Sequence, residues 1–106
     1  MRILFDQGTP VPLRQALKHH VVDTVYERGW SLLKNGDLLD IAERDGYPVF
    51  VTTDKNLKYQ QHLSSRRMAI VVLGTTSWPR IQHAITDVVR AIDGLAIGAY
   101  LELEIP

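Results

Sequence analysis

The sequence predicts an α/β fold: a mostly parallel sheet of about five strands with helices on both faces. Three observations predict it. Short apolar runs recur at residues 2–5, 21–26, 48–52 and 68–73, each bounded by polar or turn-forming residues. Between them lie segments whose apolar residues repeat at helical spacing. The runs through Val49, Phe50 and Val51 and through 68–73 are continuous rather than alternating, as in strands buried on both faces. The resulting order, β-α-β-α-β-α-β-α-β, needs a crossover at each step, and crossovers favour parallel pairing.

Residues 2–5 form a first strand that stops at Asp6, and Gly8, Thr9 and Pro10 make a turn. Pro12 suits the first turn of a helix, where its missing N–H has no helical partner to lose. Leu13, Ala16 and Leu17 give that helix an apolar stripe. It ends near His19 and His20, and residues 21–26 read as a second strand. Residues 29–34 are a loop containing Trp30. Asn35 suits an N-cap and opens a helix through Arg44, with Leu38, Ile41 and Ala42 inward. Gly46 ends it. A third strand covers 48–52, a short helix 56–63, a polar loop 64–67 and a fourth strand 68–73. Pro79 starts a longer helix with Ile81, Ala84, Ile85, Val88, Val89 and Ile92 inward, and Gly94 ends it. In the tail, Leu101, Leu103 and Ile105 alternate with Tyr100, Glu102 and Glu104. Period two predicts one buried and one wet face, as an edge strand or as the arm of an added hairpin. An open edge can recruit a second copy into a homodimer, although the glutamates oppose casual pairing.

The 106 residues carry twelve basic and twelve acidic side chains, so net charge names no partner. A hydrophobic content of 45% suits one domain, residues 1–106, with a sizeable core. Without cysteine, a disulfide scaffold and a thiolate metal site are both excluded. The N-terminal apolar run breaks at Asp6, short of a signal peptide. No stretch nears the ~20 apolar residues that span a bilayer. The expectation is a cytoplasmic protein without a membrane partner. Charge is unevenly distributed, however. Lys55, Lys58, Arg66, Arg67 and Arg80 lie between Asp54 and Asp87 with no acid among them, whereas Asp37, Asp40, Glu43 and Asp45 face Arg44 alone. Brought to one cleft, these segments would hold cations and an anionic polymer; otherwise they are solvated surface.

Asp6 follows the first strand and Asp54 the third. Parallel strands bring both to the carboxyl edge, where open sheets bind ligands. Asp37, in the first turn of the second helix, reaches that rim if the preceding loop allows it. Converging carboxylates repel, and a hard cation, Mg²⁺ or Mn²⁺, offsets the repulsion with oxygen ligands. Such a cation activates water and stabilises in-line displacement at phosphorus. Lys55 and Lys58 then suit the phosphate backbone of the substrate. Each residue also has a plain structural reading: Asp6 caps the turn at Gly8 and Thr9, Asp37 favours a helix N-terminus, Asp54 caps the helix after it, and Lys55 is solvated. His19, His20, His62 and His83 lack metal-ligand spacing. Trp30 and Trp78 suit packing, or stacking on bases. No nucleotide fingerprint, phosphate loop or hydrolase elbow appears, which disfavours a phosphatase.

MRILFDQGTPVPL resembles the opening strand and turn of small PIN-like proteins, which commonly begin with a pattern such as LLDENLP. NGDLLDIA followed by VFVTTDKNL is similar to that family's D-x-x-I-L-x-x-A helix and V-T-x-D-x-D-F strand end. The likeness covers about residues 1–75. It implies a Rossmann-like three-layer sandwich whose clustered carboxylates hold Mg²⁺ or Mn²⁺. Many small bacterial PIN domains resemble VapC-type toxins, which cleave RNA and are silenced by an antitoxin. The resemblance thus implies an endoribonuclease of toxin–antitoxin type, with RNA as substrate and a small antitoxin protein as partner. Asp6 matches the first-strand acid, Asp54 the third-strand acid and Asp37 an acidic position in the helix motif. The sequence departs from the pattern at Asn35, where many relatives have aspartate, at Gln7, which replaces glutamate, and at Asn56, which replaces the second aspartate. Gly74-Thr75-Thr76-Ser77 lacks the fourth acid. A non-catalytic module of the same fold, binding a protein or RNA through this rim, is the alternative.

Overall fold

The computed structural model describes residues 1–63 and 65–106. Ser64, expected to open a polar loop, lies outside the described residues. The strands β1 (Arg2–Phe5), β2 (Val21–Thr24), β3 (Val49–Thr52), β4 (Ala69–Leu73) and β5 (Tyr100–Leu103) form one sheet in the order β2-β1-β3-β4-β5. Every neighbouring pair is parallel, so all the carboxyl ends lie along one edge. The helices are α1 (Asn35–Arg44), α2 (Leu57–Gln60), α3 (Trp78–His83) and α4 (Ile85–Asp93), with a 3₁₀ segment at Val11–Ala16.

Strand alternation divides the apolar side chains between two cores. Ile3, Phe5, Val49, Val51, Val71 and Leu73 enter the first, which is closed by Leu13 of the 3₁₀ segment, the Leu17 after it, and Ile81, Val88 and Ile92 of α3 and α4. Leu4, Phe50, Ile70 and Val72 enter the second, closed by α1 and α2 with Leu38, Leu39, Ala42 and Leu57. Filling both faces is why the third and fourth strands read as unbroken apolar runs. Each such side chain stabilises the fold by roughly 1.5–3 kcal/mol relative to exposure. The expected three-layer α/β architecture is therefore the observed one. The chain goes from β1 to β2 on one side and returns to β3 on the other. That reversal opens a crevice between β1 and β3 at the carboxyl edge.

Several elements differ from expectation for tertiary reasons. The first helix is 3₁₀: the N–H of Leu13 donates to the Pro10 carbonyl and that of Leu17 to Arg14, each three residues back. β2 stops at Thr24, not at 26. There the Thr24 N–H donates to Glu27 Oε1 at 2.9 Å and the Glu27 N–H donates to Thr24 Oγ1 at 3.0 Å, which turns the chain. α2 is a single turn. The long helix breaks at Ala84 (φ −104°, ψ 17°) with no Gly or Pro to signal it. Both α3 and α4 touch the 3₁₀ segment, and Ile81, Val88 and Ile92 enter the same core. The end of α1 follows expectation. Gly46 has φ +84°, its N–H bonds the Glu43 carbonyl, and the Tyr47 N–H bonds that of Ala42, a Schellman closure. β5 is a parallel edge strand rather than a hairpin arm, with Ile105 buried and Glu102 and Glu104 exposed. Among the described residues no helix is long and apolar enough to cross a membrane.

Candidate functional site

β1 and β3 run side by side with Phe5 opposite Val51, so the residues after them emerge together. The Asp6 N–H donates to the Val51 carbonyl at 2.9 Å, extending the ladder past the end of β1. Its carboxylate is half-buried. Oδ2 accepts from the Thr52 hydroxyl at 2.8 Å and Oδ1 from the Gln7 N–H at 2.9 Å. Thr52 Oγ1 in turn accepts from the Asp54 N–H at 3.1 Å. Thr52 is 0% exposed, so its hydroxyl is a fixed strut that ties one acid's side chain to the other's backbone. Asp54 Oδ1 accepts from the Asn56 N–H at 2.9 Å, which starts the turn into α2. Oδ2 accepts from Asn35 Nδ2 at 3.3 Å, and the same amide donates to Gln60 Oε1 at 3.1 Å. Gln7 Nε2 reaches the Ser31 carbonyl at 3.4 Å and ties the loop before α1 to the rim.

Asp37 does not join this pair. An α-helix turns about 100° per residue. With Asn35 directed at Asp54, Asp37 falls about 200° further round the helix. It is exposed and lines a shallow depression with Leu33, Asp40, Ile41 and Arg44. Among the described residues, no three or more His, Asp or Glu side chains gather as a metal site. Asn35, expected as an N-cap, sits instead at the first helical position, after Lys34, and makes no capping bond. Its place at the rim follows from the phase of α1, which turns the Asn35 amide toward Asp54. Nothing local marks Thr52, which reads only as the polar end of a strand.

The two lysines differ. Lys58 Nζ pairs with Glu102 Oε1 at 2.7 Å and lies 5.1 Å from the Tyr59 ring centroid. The Glu102 partner raises the Lys58 ammonium, and the Lys58 hydrogen bond holds Glu102 below the usual carboxylate range. Burial pushes the Tyr100 hydroxyl up, reinforced by its 2.8 Å hydrogen bond to Glu102. Lys58 is thus engaged. Lys55 is exposed and has no ion-pair partner among the described residues.

Two concavities flank the acids. On the β5 side, a groove of about 610 Å³ is lined by Lys55, Gly74, Glu102, Glu104 and the tail to Pro106. On the β2 side, one of about 520 Å³ is lined by Asp6, Gln7, Val11, Arg14, Tyr26 and Glu27 among others. Trp30 lies in neither. It is 8% exposed and packs edge-on against Tyr47, with the Arg28 guanidinium 4.4 Å above its ring. No protein-family model, curated protein or solved structure matches the chain.

Proposed function

We propose that the protein is a PIN-like, divalent-metal-dependent endoribonuclease of toxin–antitoxin type that hydrolyses RNA phosphodiester bonds in the cytoplasm. The observation that carries this reading is the Asp6–Thr52–Asp54 constellation at the point where the strand order reverses. Asp6 and Asp54 are joined there through the buried hydroxyl of Thr52, itself 46 positions from Asp6. The donor set fits a hard cation. A carboxylate offers about four lone-pair sites, and Asp6 and Asp54 each accept two hydrogen bonds, leaving the remaining sites for a ligand. Mg²⁺ keeps several waters and commonly takes one or two carboxylates, with substrate phosphate completing its shell. Asp6 and Asp54 would hold Mg²⁺ or Mn²⁺, which supplies Lewis acidity and an activated water when bound. Thr52 fixes the Asp6 carboxylate, Asn35 orients Asp54, and Lys55 offers a free ammonium to the RNA backbone. A small antitoxin protein would silence the rim by covering it.

Mixed-sequence RNA incubated with the protein and Mn²⁺ tests this. Asp6→Asn and Asp54→Asn are each expected to lower cleavage by more than the roughly 100-fold that outer-sphere partners of a metal are worth. Asp37→Asn is expected to retain it. Cleavage that survives both rim substitutions would remove the assigned site.

One observation favours a second reading. The acids at the rim are two rather than three, with Lys58 neutralised by Glu102. A non-catalytic PIN-like module would bind RNA or a protein here without hydrolysis, and would dimerise through the open edge of β5. Absence of cleavage with any divalent metal selects it.

A further inference from the structure

We infer that the concavity on the β2 side of Asp6 receives one nucleobase of the RNA, stacked on Tyr26. This rests on the proposed reading of the rim and names how that rim takes its substrate. The concavity, about 520 Å³, falls within the roughly 300–1,000 Å³ of ligand clefts. Its wall is apolar and uncovered: Tyr26 is 79% exposed and Val11 53%. Among the described residues the Tyr26 ring has no aromatic or cationic partner, whereas Trp30 and Tyr47 are stacked against arginines. Of the charges lining it, Arg14 and Glu27 match each other, which leaves Asp6 as the open carboxylate. Arg14 makes a two-pronged pair with Glu27, at 2.6 Å and 3.2 Å. Glu27 is held in turn by the Thr24 N–H. A phosphate would gain little from a guanidinium so engaged. A flat, uncharged ring with polar edges meets what is left: the Tyr26 face, the Val11 methyls and the exposed Gln7 amide.

The position agrees with the chemistry. Asp6 lines the concavity together with Tyr26, so a base on Tyr26 belongs to a nucleotide adjoining the phosphate held at Asp6 and Asp54. The RNA strand then leaves on the opposite side, past Lys55, a cation with no ion-pair partner among the described residues. Stacking accepts any base face, so the site contributes affinity and register more than sequence choice.

Fluorescence anisotropy with a labelled single-stranded RNA octamer of mixed sequence, in Ca²⁺ to hold the phosphate without turnover, measures it. Tyr26→Ala is expected to weaken binding about tenfold, and Tyr26→Phe to stay within about twofold of wild type. An octamer of abasic sites is expected to bind the wild type as weakly as the intact octamer binds Tyr26→Ala. The Tyr26 side chain is largely exposed, so its removal leaves the core intact. Equal binding by wild type and Tyr26→Ala, or no binding by the wild type, overturns the inference. The hydrolysis reading fails separately. Tyr26-dependent binding without Mn²⁺ cleavage keeps the base site and removes the nuclease. Asp6-dependent cleavage with Tyr26-independent binding does the reverse.

Discussion

Asp54 divides its carboxylate between two tasks. Oδ1 holds the Asn56 N–H and sets the turn into α2, while Oδ2 meets the Asn35 amide across the rim. Capping and ligand binding are therefore compatible in one residue, because each oxygen keeps a free lone pair. Asn35 supplies a donor where an aspartate would supply a charge. Asn35→Asp would set a third carboxylate against the pair. Without metal it should destabilise the protein by about 1 kcal/mol through like-charge repulsion. With Mn²⁺ it should tighten binding roughly tenfold, since cation affinity follows the count of charged ligands. Calorimetric titration and urea unfolding, each with and without Mn²⁺, read both effects. Unchanged Mn²⁺ affinity would place residue 35 outside the cation's reach. Asp6 and Asp54 were legible in the sequence because Asp6 directly follows an apolar run and Asp54 ends the short polar stretch after another. Asn35 and Thr52 were not, since what they touch is decided by helix phase and strand register.

Among the elements, β5 depends on a close approach. A Cβ on Gly74 would lie 2.9 Å from the Leu103 carbonyl oxygen, closer than a real Cβ tolerates, and the obstruction is backbone. Gly74 also donates its N–H to that carbonyl at 2.9 Å. Gly74→Ala is expected to cost about 1–3 kcal/mol by forcing the β4–β5 ladder apart, seen as a lower urea midpoint. Faster amide exchange should be confined to Tyr100–Leu103. Exchange that rises uniformly over the sheet would contradict a local clash. Elements built from local rules were readable: α1 from its apolar spacing and its Gly46 ending, β3 and β4 from unbroken apolar runs. The 3₁₀ segment and the break at Ala84 were not. Ile81, Val88 and Ile92 fit one continuous helical stripe equally well. Both pieces pack against the 3₁₀ segment, a contact that no local pattern announces.

At the scale of the whole molecule, ionisable contacts bracket the range of stability. Arg14 holds Glu27 below its ordinary 4.5, and Lys58 does the same for Glu102. A carboxyl depressed in the native state stabilises above its ordinary value, and that contribution disappears as pH falls through the native one. Burial holds the Tyr47 and Tyr100 hydroxyls above their ordinary 10.0. These contribute fully below pH 10.0 and are lost as pH rises through the native values. Tyr47 is the deeper of the two at 1% exposed. It donates to Asp23, accepts from Arg28 at 2.8 Å, and joins β2 to the connection between α1 and β3. Urea midpoints against pH should therefore form a plateau between about 4.5 and 10 with a fall on each side. Tyr47→Phe should flatten the alkaline fall, and Glu102→Gln the acid one. Flanks unchanged in both variants would refute the assignment.

Apolar period, turn chemistry and strand order are properties of near neighbours, and they sufficed to specify a layered α/β fold with acids at two strand ends. Which acids meet is a different kind of quantity. It depends on the parallel register of β1 and β3, and on the angular phase at which α1 enters the second core. Both are set by packing between segments dozens of residues apart. That packing turned Asn35 toward Asp54 and carried Asp37 away.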